Sequence, residues 1–448
     1  MENQLLNHAN ERISGLYPDR VVGTVRDVSG LCMSIQGLES FLSIGDRLTV
    51  TARSGEKIQS EVVGFRDGLA QTMAFGGLDG VGPGCEAWLP LSVASSAALQ
   101  VSDGWLGRVL DPLGRAMDGR GGLDSSGHRQ DLRSAPPNAA TRARLGARLN
   151  LGVRAMDAFV TTRVGQRLGL FAGSGVGKSS LLSMLVRGAQ CDVAVIALVG
   201  ERGREVREFI EDDLGPEGLA RSVVIVATSD MPPLMRRDAA TSAMAVAEYF
   251  RDQGKSVLLL MDSVTRYCMA LREIGLSAGE PPATRGYPPS VFAELPKLLE
   301  RAGPGYPGQG MITALFTVLV EGDDHNEPVA DAVRGILDGH VVLDRRIGEQ
   351  GRYPAIDVLK SLSRSVPGCL SAAEAGLAKK ARSVMARYER VADMLRLGAY
   401  KAGSEPETDE AIRLMPALTE FLTQGKHEPV HAQDVFEHLV AVLGDNEA

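Results

Sequence analysis

The sequence predicts a multidomain chain in three parts: a small closed β-barrel, a central α/β domain built on a parallel sheet, and a C-terminal α-helical domain. Three observations carry that expectation. Between about Val21 and Leu91, short alternating segments are separated by turn clusters. From about residue 145 to 367, apolar runs of strand length alternate with helical stretches, the pattern of a parallel sheet covered on both faces. After Cys369, apolar residues recur at spacings of three and four. The 448 residues, 44% apolar and 23% charged, suit an ordinary globular protein of about two to four domains.

Along the chain, residues 1–20 come first, where Leu5, Leu6, Ile13 and Leu16 fall on one face of a short amphipathic helix. The barrel is expected over 21–95, with alternating segments such as Val21–Val28 and Asp46–Ala52 and turns at Ser54-Gly55, Asp67-Gly68 and Gly82-Pro83-Gly84. The stretch Asp118 to Asn138, rich in Gly, Ser and Arg, is expected to be an irregular connection. The central domain is placed at 96–370, with strands near 167–172, 193–200, 222–228, 256–262, 311–319 and 339–344. Two Gly/Pro-rich interruptions, 278–289 and 303–310, are surface loops on sequence alone. The helical domain is placed at 371–448; its first helix, Ala372 to Leu397, carries Leu377, Ala381, Val384, Tyr388, Val391 and Leu395 and is expected to pack within that domain.

The segment Phe171-Ala-Gly173-Ser174-Gly175-Val176-Gly177-Lys178-Ser179-Ser180 follows an apolar strand and opens a helical run. Glycines there let backbone N–H groups turn inward onto phosphate oxygens, Lys178 reaches the β and γ phosphates, and the Ser179 hydroxyl can ligate Mg²⁺. Three glycines alone would suit a turn without a ligand; the Gly-Lys-Ser ending between strand and helix argues for a nucleotide site. Ala172 stands where the strict motif has glycine. The strand Ser256 to Asp262 ends in a carboxylate suited to hold the metal, and the strand ending at Gly200 delivers Glu201, a general-base candidate. Carboxylates at strand ends are often plain turn residues, but a parallel sheet binds its ligand at those ends, and here three strands end in Lys-Ser, Glu-Arg and Asp.

Gly200-Glu-Arg-Gly-Arg-Glu205, the stretch Val246 to Asp252, and Pro354-Ala-Ile-Asp-Val-Leu-Lys-Ser-Leu-Ser363-Arg364 resemble the rotary-ATPase catalytic-subunit superfamily. Leu151 to Asp157, Gly286 to Glu294, Glu321-Gly-Asp-Asp324 and Ile336 to His340 most resemble its flagellar export ATPases, the hexamers that energise flagellar type III secretion. The resemblance runs from about residue 20 to about 425. It implies a RecA-like P-loop ATPase domain, ATP and Mg²⁺ as ligands, Glu201 as catalytic carboxylate and Arg202 near the γ-phosphate. It also implies Tyr353 stacking on adenine, Arg364 as an arginine finger entering the neighbouring subunit's site, and Arg266 at the catalytic interface. Without it, Tyr353, Arg364 and Arg266 would pass for an ordinary surface tyrosine and salt-bridging arginines. Ala172 matches the export subfamily, and Glu201 distinguishes catalytic members from nucleotide-binding paralogues that lack a carboxylate there. The implied partners are further copies of the chain in a homohexamer, a stator-like regulatory protein at residues 1–20, a shaft-like component and export gate, and export chaperones with their cargo.

Composition narrows the remaining alternatives. Net charge of −8, no basic stripe and only 5% aromatic residues argue against an RNA-translocating ring and a specific nucleic-acid partner. No apolar run approaches a membrane span, and the start lacks a secretory signal, so a cytoplasmic protein with at most peripheral membrane association is expected. Cys32, Cys85, Cys191, Cys268 and Cys369 are isolated and fit reduced thiols, and no zinc site is expected from the scattered histidines. An injectisome ATPase, a proton-coupled rotary subunit and a non-hydrolysing scaffold remain as alternatives.

Overall fold

The computed structural model describes residues 20–90, 97–123, 126–173, 175–320, 327–428, 430 and 432–444. The amphipathic segment expected at residues 1–20, all but its last residue, lies outside the described residues, as do Ser174 and the Glu321–Asp324 stretch. The chain divides into two compact units. The first holds the chain up to Ala98 with Met231–Met235 and Ala270–Pro288; the second holds the remainder.

Strands β1 (Arg20–Ser29), β2 (Cys32–Gln36), β3 (Arg47–Thr51), β4 (Lys57–Arg66), β5 (Leu69–Ala74) and β6 (Glu86–Pro90) form the barrel of the first unit. They close in the order β1-β2-β5-β4-β3-β6, as the alternating segments predict. Alternation along the strands, interrupted by register shifts in β1 and β4, turns Val25, Met33, Ile35, Val50, Val62 and Ala87 into the interior. Gly23 permits a close approach on β1: a Cβ there would meet the Gln36 carbonyl oxygen at 2.5 Å. Within the same unit the Cys32 thiol lies 3.5 Å from the Ser277 carbonyl, one of several reduced cysteines.

The second unit is built on a sheet whose strands run Leu362–Ser363, Gly339–Leu343, Arg167–Ala172, Met311–Leu319, Ser256–Asp262, Val193–Glu201, Ser222–Thr228 and Arg108–Leu110. Neighbours pair in parallel except the edge strand Leu362–Ser363 and the buried two-residue strand Gly303–Pro304, which pairs antiparallel with Met311–Leu319 where a surface loop is expected. The six expected strands are all present, because each is an apolar run buried on both faces. Two further features depart from expectation. Arg108–Leu110 extends the sheet beyond Ser222–Thr228, and His128–Asp131 pairs with Ala98–Val101 inside a stretch expected to be irregular. Both are three or four residues long and carry charge, so pairing with a partner and not local pattern makes them strands.

Helix Pro233–Asp252 is tied to helix Pro289–Arg301 by a buried ion pair. The Arg301 guanidinium donates to both Glu248 oxygens at 2.9 and 2.6 Å and to the Leu132 carbonyl at 2.6 Å, so the buried charge keeps its partners.

Helices Ala372–Arg396, Pro406–Leu422 and Ala432–Leu443 make up the C-terminal region. The first starts on a capping box in which Ser371 and Glu374 bond each other's backbone N–H. This region does not pack only on itself. Its Ala381, Met385, Leu418 and Phe421 join one hydrophobic cluster with Phe159, Leu168 and Leu182, and Arg382 donates to the carbonyls of Phe159 and Val358. Helical spacing marked its apolar face but not which surface would cover it. Among the described residues, no helix is long and apolar enough to cross a membrane.

Candidate active site

Three adjacent features of the sheet bring the candidate groups to one end. Strand Arg167–Ala172 runs into the glycine loop, and helix Lys178–Gly188 begins directly after it. Gly177 takes φ +87°, the left-handed conformation that lets the chain turn from loop into helix without a side-chain penalty. The first N–H groups of that helix lack intrahelical acceptors and carry the positive end of the dipole, which suits this terminus to an anion. Val176 is buried beneath the loop, while Gly175 and Ser179 face solvent and Ser180 is half-buried, its carbonyl accepting from Ser183. Gly173 is buried at the strand end.

Lys178 Nζ donates to Asp262 Oδ1 at 2.6 Å and lies 3.3 Å from Glu201 Oε1. The three side chains are 13%, 5% and 15% exposed, so the cluster is shielded yet reachable from solvent. An ammonium has three protons; two serve the carboxylates and a third remains. Burial pushes the Lys178 pKa down, but Asp262 and Glu201 outweigh it, and the amine stays charged. Burial raises the Glu201 pKa, the nearby Asp262 charge adds to the rise, and Lys178 offsets only part of it. A glutamate shifted upward in this way is a better proton acceptor at neutral pH than an ordinary surface carboxylate.

The remaining expected residues divide. The Tyr353 ring lies over the start of the P-loop helix: a Cβ on Gly177 would meet two of its carbons at 3.3 Å. The ring is about half exposed. Arg202 turns outward and pairs with Glu205 at 3.0 Å, away from Lys178. Arg266 lays its aliphatic stem along Gly200, one residue from Glu201, and its buried Nε has no hydrogen-bond partner among the described residues. Arg364 is exposed, and its backbone N–H bonds the Asp338 carbonyl. Asp338 is level with Arg167, where the P-loop strand begins, so Arg364 sits about 16 Å down the sheet from the phosphate end. It does not belong to its own chain's phosphate site.

Two contributors escaped sequence reasoning. Thr317, fully buried on Met311–Leu319, donates to Asp262 Oδ1 at 2.7 Å. Gln424, just beyond helix Pro406–Leu422, donates its N–H to the Tyr353 carbonyl at 2.8 Å. Its side-chain amide donates to the Gly152 and Glu428 carbonyls and accepts from the Arg154 N–H. Asp157 secures the other side of that junction by accepting from Leu151 and Gly152, and burial raises its pKa to about 6. A threonine in an apolar strand and a glutamine in a short loop give no signal until their neighbours are known. A separate depression of about 580 Å³, floored by Val109, Val206, Ile210 and Val226, contains none of the catalytic candidates.

A glycine loop on a helix N-terminus, a buried lysine between two strand-end carboxylates and a parallel sheet define a P-loop ATPase. The sequence pattern of the ATP synthase alpha/beta family, nucleotide-binding domain, matches residues 152–363, and that of the T3SS EscN ATPase C-terminal domain matches residues 370–441. The chain is 52% identical to the flagellum-specific ATP synthase of Caulobacter vibrioides over 440 residues, covering 97% of this chain and 98% of that one. It is 44% identical to the type 3 secretion system ATPase of Xanthomonas euvesicatoria, covering 99% of each. Among solved structures, the assembled ATPase EscN of enteropathogenic E. coli superposes with a TM-score of 0.87 at 39% identity, over 94% of this chain and all of that one. The same protein in complex with its central stalk EscO gives a TM-score of 0.84. The chain belongs to the flagellum-specific ATP synthase family of ATP-hydrolysing enzymes.

Proposed function

We propose that the chain hydrolyses MgATP as a homohexamer and thereby powers protein export by the flagellar type III secretion apparatus. The observation that carries the chemistry is the convergence of Lys178, Glu201 and Asp262 at the helix N-terminus. Lys178 and the loop amides, those of Gly173 to Ser180, bind phosphate oxygens. Tyr353 covers the adenine. Ser179 and Asp262 offer only oxygen donors, and Asp262 Oδ2 accepts no hydrogen bond among the described residues, which fits Mg²⁺ held mainly through water and phosphate. The metal would neutralise charge on the β and γ phosphates. Glu201 accepts the proton of the attacking water, and Arg202 lies one residue from it. Arg364, too far from its own P-loop, acts on the site of the next subunit, where a guanidinium is worth about 10³ to 10⁵ in rate.

The energy would go to releasing and unfolding export cargo and its chaperones at the cytoplasmic side of the export gate, with only peripheral membrane association. The EscN complex with its stalk supports a shaft-like partner for this chain. A stator-like partner at residues 1–20 follows from the resemblance alone. An injectisome role stays as the second reading, supported by the Xanthomonas relative and by EscN.

Glu201→Gln is expected to keep ATP binding and lose steady-state hydrolysis, measured by phosphate release and equilibrium nucleotide binding. Undiminished turnover would sink the assignment of the base. In cells whose only copy is Lys178→Ala, lost filaments with normal growth would support the flagellar role, and intact filaments would move the function to an injectisome or another ring motor.

A further inference from the structure

We propose that Thr317 is a positioning residue for the Asp262 carboxylate, fixing which of its oxygens faces the metal; the role rests on reading Asp262 as the Mg²⁺ anchor. Strands Ser256–Asp262 and Met311–Leu319 pair in parallel with Met261 opposite Phe316, so the next pair, Asp262 and Thr317, stands side by side. The Thr317 hydroxyl has one proton and two acceptors in reach, Asp262 Oδ1 at 2.7 Å and the Met261 carbonyl at 3.2 Å. The shorter, charge-assisted bond takes the proton. A threonine needing only a backbone partner would be satisfied by the carbonyl, so the carboxylate contact is the informative one.

Lys178 also donates to Oδ1, so both donors hold the same oxygen and leave Oδ2. They differ in stiffness. Lys178 is a flexible ammonium shared with Glu201, whereas Thr317 is fully buried on a central strand with a β-branched side chain. The same strand grips the segment after Asp262 a second time, where the Leu319 N–H donates to Thr265 Oγ1 at 2.9 Å. Thr317 therefore sets the rotation of the carboxylate, and the lysine remains available to the phosphates.

The test compares Thr317→Val, which keeps shape and removes the hydroxyl, with Thr317→Ser, using Asp262→Ala as the reference. ATP binding is measured by calorimetry in EDTA and in Mg²⁺, and hydrolysis is titrated with Mg²⁺. For Thr317→Val the Mg²⁺ concentration at half-maximal turnover should rise about tenfold, the loss of one hydrogen bond to a charged group. The affinity gained on adding Mg²⁺ should shrink, affinity in EDTA should not change, and Thr317→Ser should restore wild-type behaviour. Wild-type Mg²⁺ dependence in Thr317→Val would overturn the proposal. So would an equal loss of affinity in EDTA, since that would make Thr317 a packing residue. If Asp262→Ala keeps the wild-type gain with Mg²⁺, the reading of Asp262 itself fails, a result distinct from either.

Discussion

Two carboxylates and one ammonium share a shielded site, and their charge balance makes the chemistry depend on pH. Burial and Asp262 raise the Glu201 pKa, and a raised carboxylate holds its proton to higher pH. The proton-accepting form is then lost as pH falls through that raised value, so kcat should decline on an acid limb above the ordinary glutamate range of about 4.3. A pH profile of kcat at saturating MgATP checks this, and a limb at or below the ordinary range would contradict it. At this scale the sequence was informative where chemistry and position coincide. Lys178, Glu201 and Asp262 each end a strand or open a helix at the same end of the sheet, and that placement is visible in an apolar run followed by a charge. Thr317 was hidden because threonine is also a good strand former, and only the register shows it beside Asp262.

Beyond the P-loop and the two strands that carry Glu201 and Asp262, the turn following helix Pro406–Leu422 also reaches the residues around the P-loop. Besides the Gln424 bonds, Arg154 donates to the Phe421 carbonyl at 2.8 Å and pairs with Glu428. Arg187, near the end of the P-loop helix, donates to the Lys426 carbonyl at 2.7 Å, and Lys426 pairs with Asp213. The turn thus joins the C-terminal helices to the Tyr353 loop and to the far end of the P-loop helix. Gln424→Leu removes the side-chain part of that junction while keeping its bulk. It should raise the KM for ATP by about three- to tenfold, in line with losing about 1 kcal/mol of hydrogen bonding, and leave kcat within about twofold. Steady-state kinetics decide it: an unchanged KM would show that the Gln424 side chain contributes nothing to holding the turn against the Tyr353 loop. Long apolar strands and the 372–396 helix were legible because period and length agree over many residues. The short strands 108–110 and 128–131 were not, because long-range pairing and not pattern holds them in place.

At the scale of the molecule, the proposed reading gives the chain both halves of a catalytic site, and the sheet holds those residues apart. The P-loop, Glu201 and Asp262 lie at one end of the sheet; Arg364 lies level with the start of the P-loop strand, on the antiparallel edge. Sequence reasoning reached the finger only through family resemblance, since nothing local in Leu-Ser-Arg-Ser distinguishes it from a salt-bridging arginine. The sheet geometry adds the independent reason that it cannot serve its own site. The central claim is that each site is shared between two copies of the chain, and co-expression tests it most directly. Glu201→Gln and Arg364→Ala chains, each inactive alone, would carry different affinity tags, and rings holding both would be purified through the two tags in turn. An Arg364→Ala chain contributes an intact P-loop and Glu201, and a neighbouring Glu201→Gln chain contributes an intact arginine. Mixed rings should therefore regain ATP hydrolysis, up to about a quarter of the wild-type rate for random neighbours. Mixed rings as inactive as either parent would contradict a finger supplied in trans.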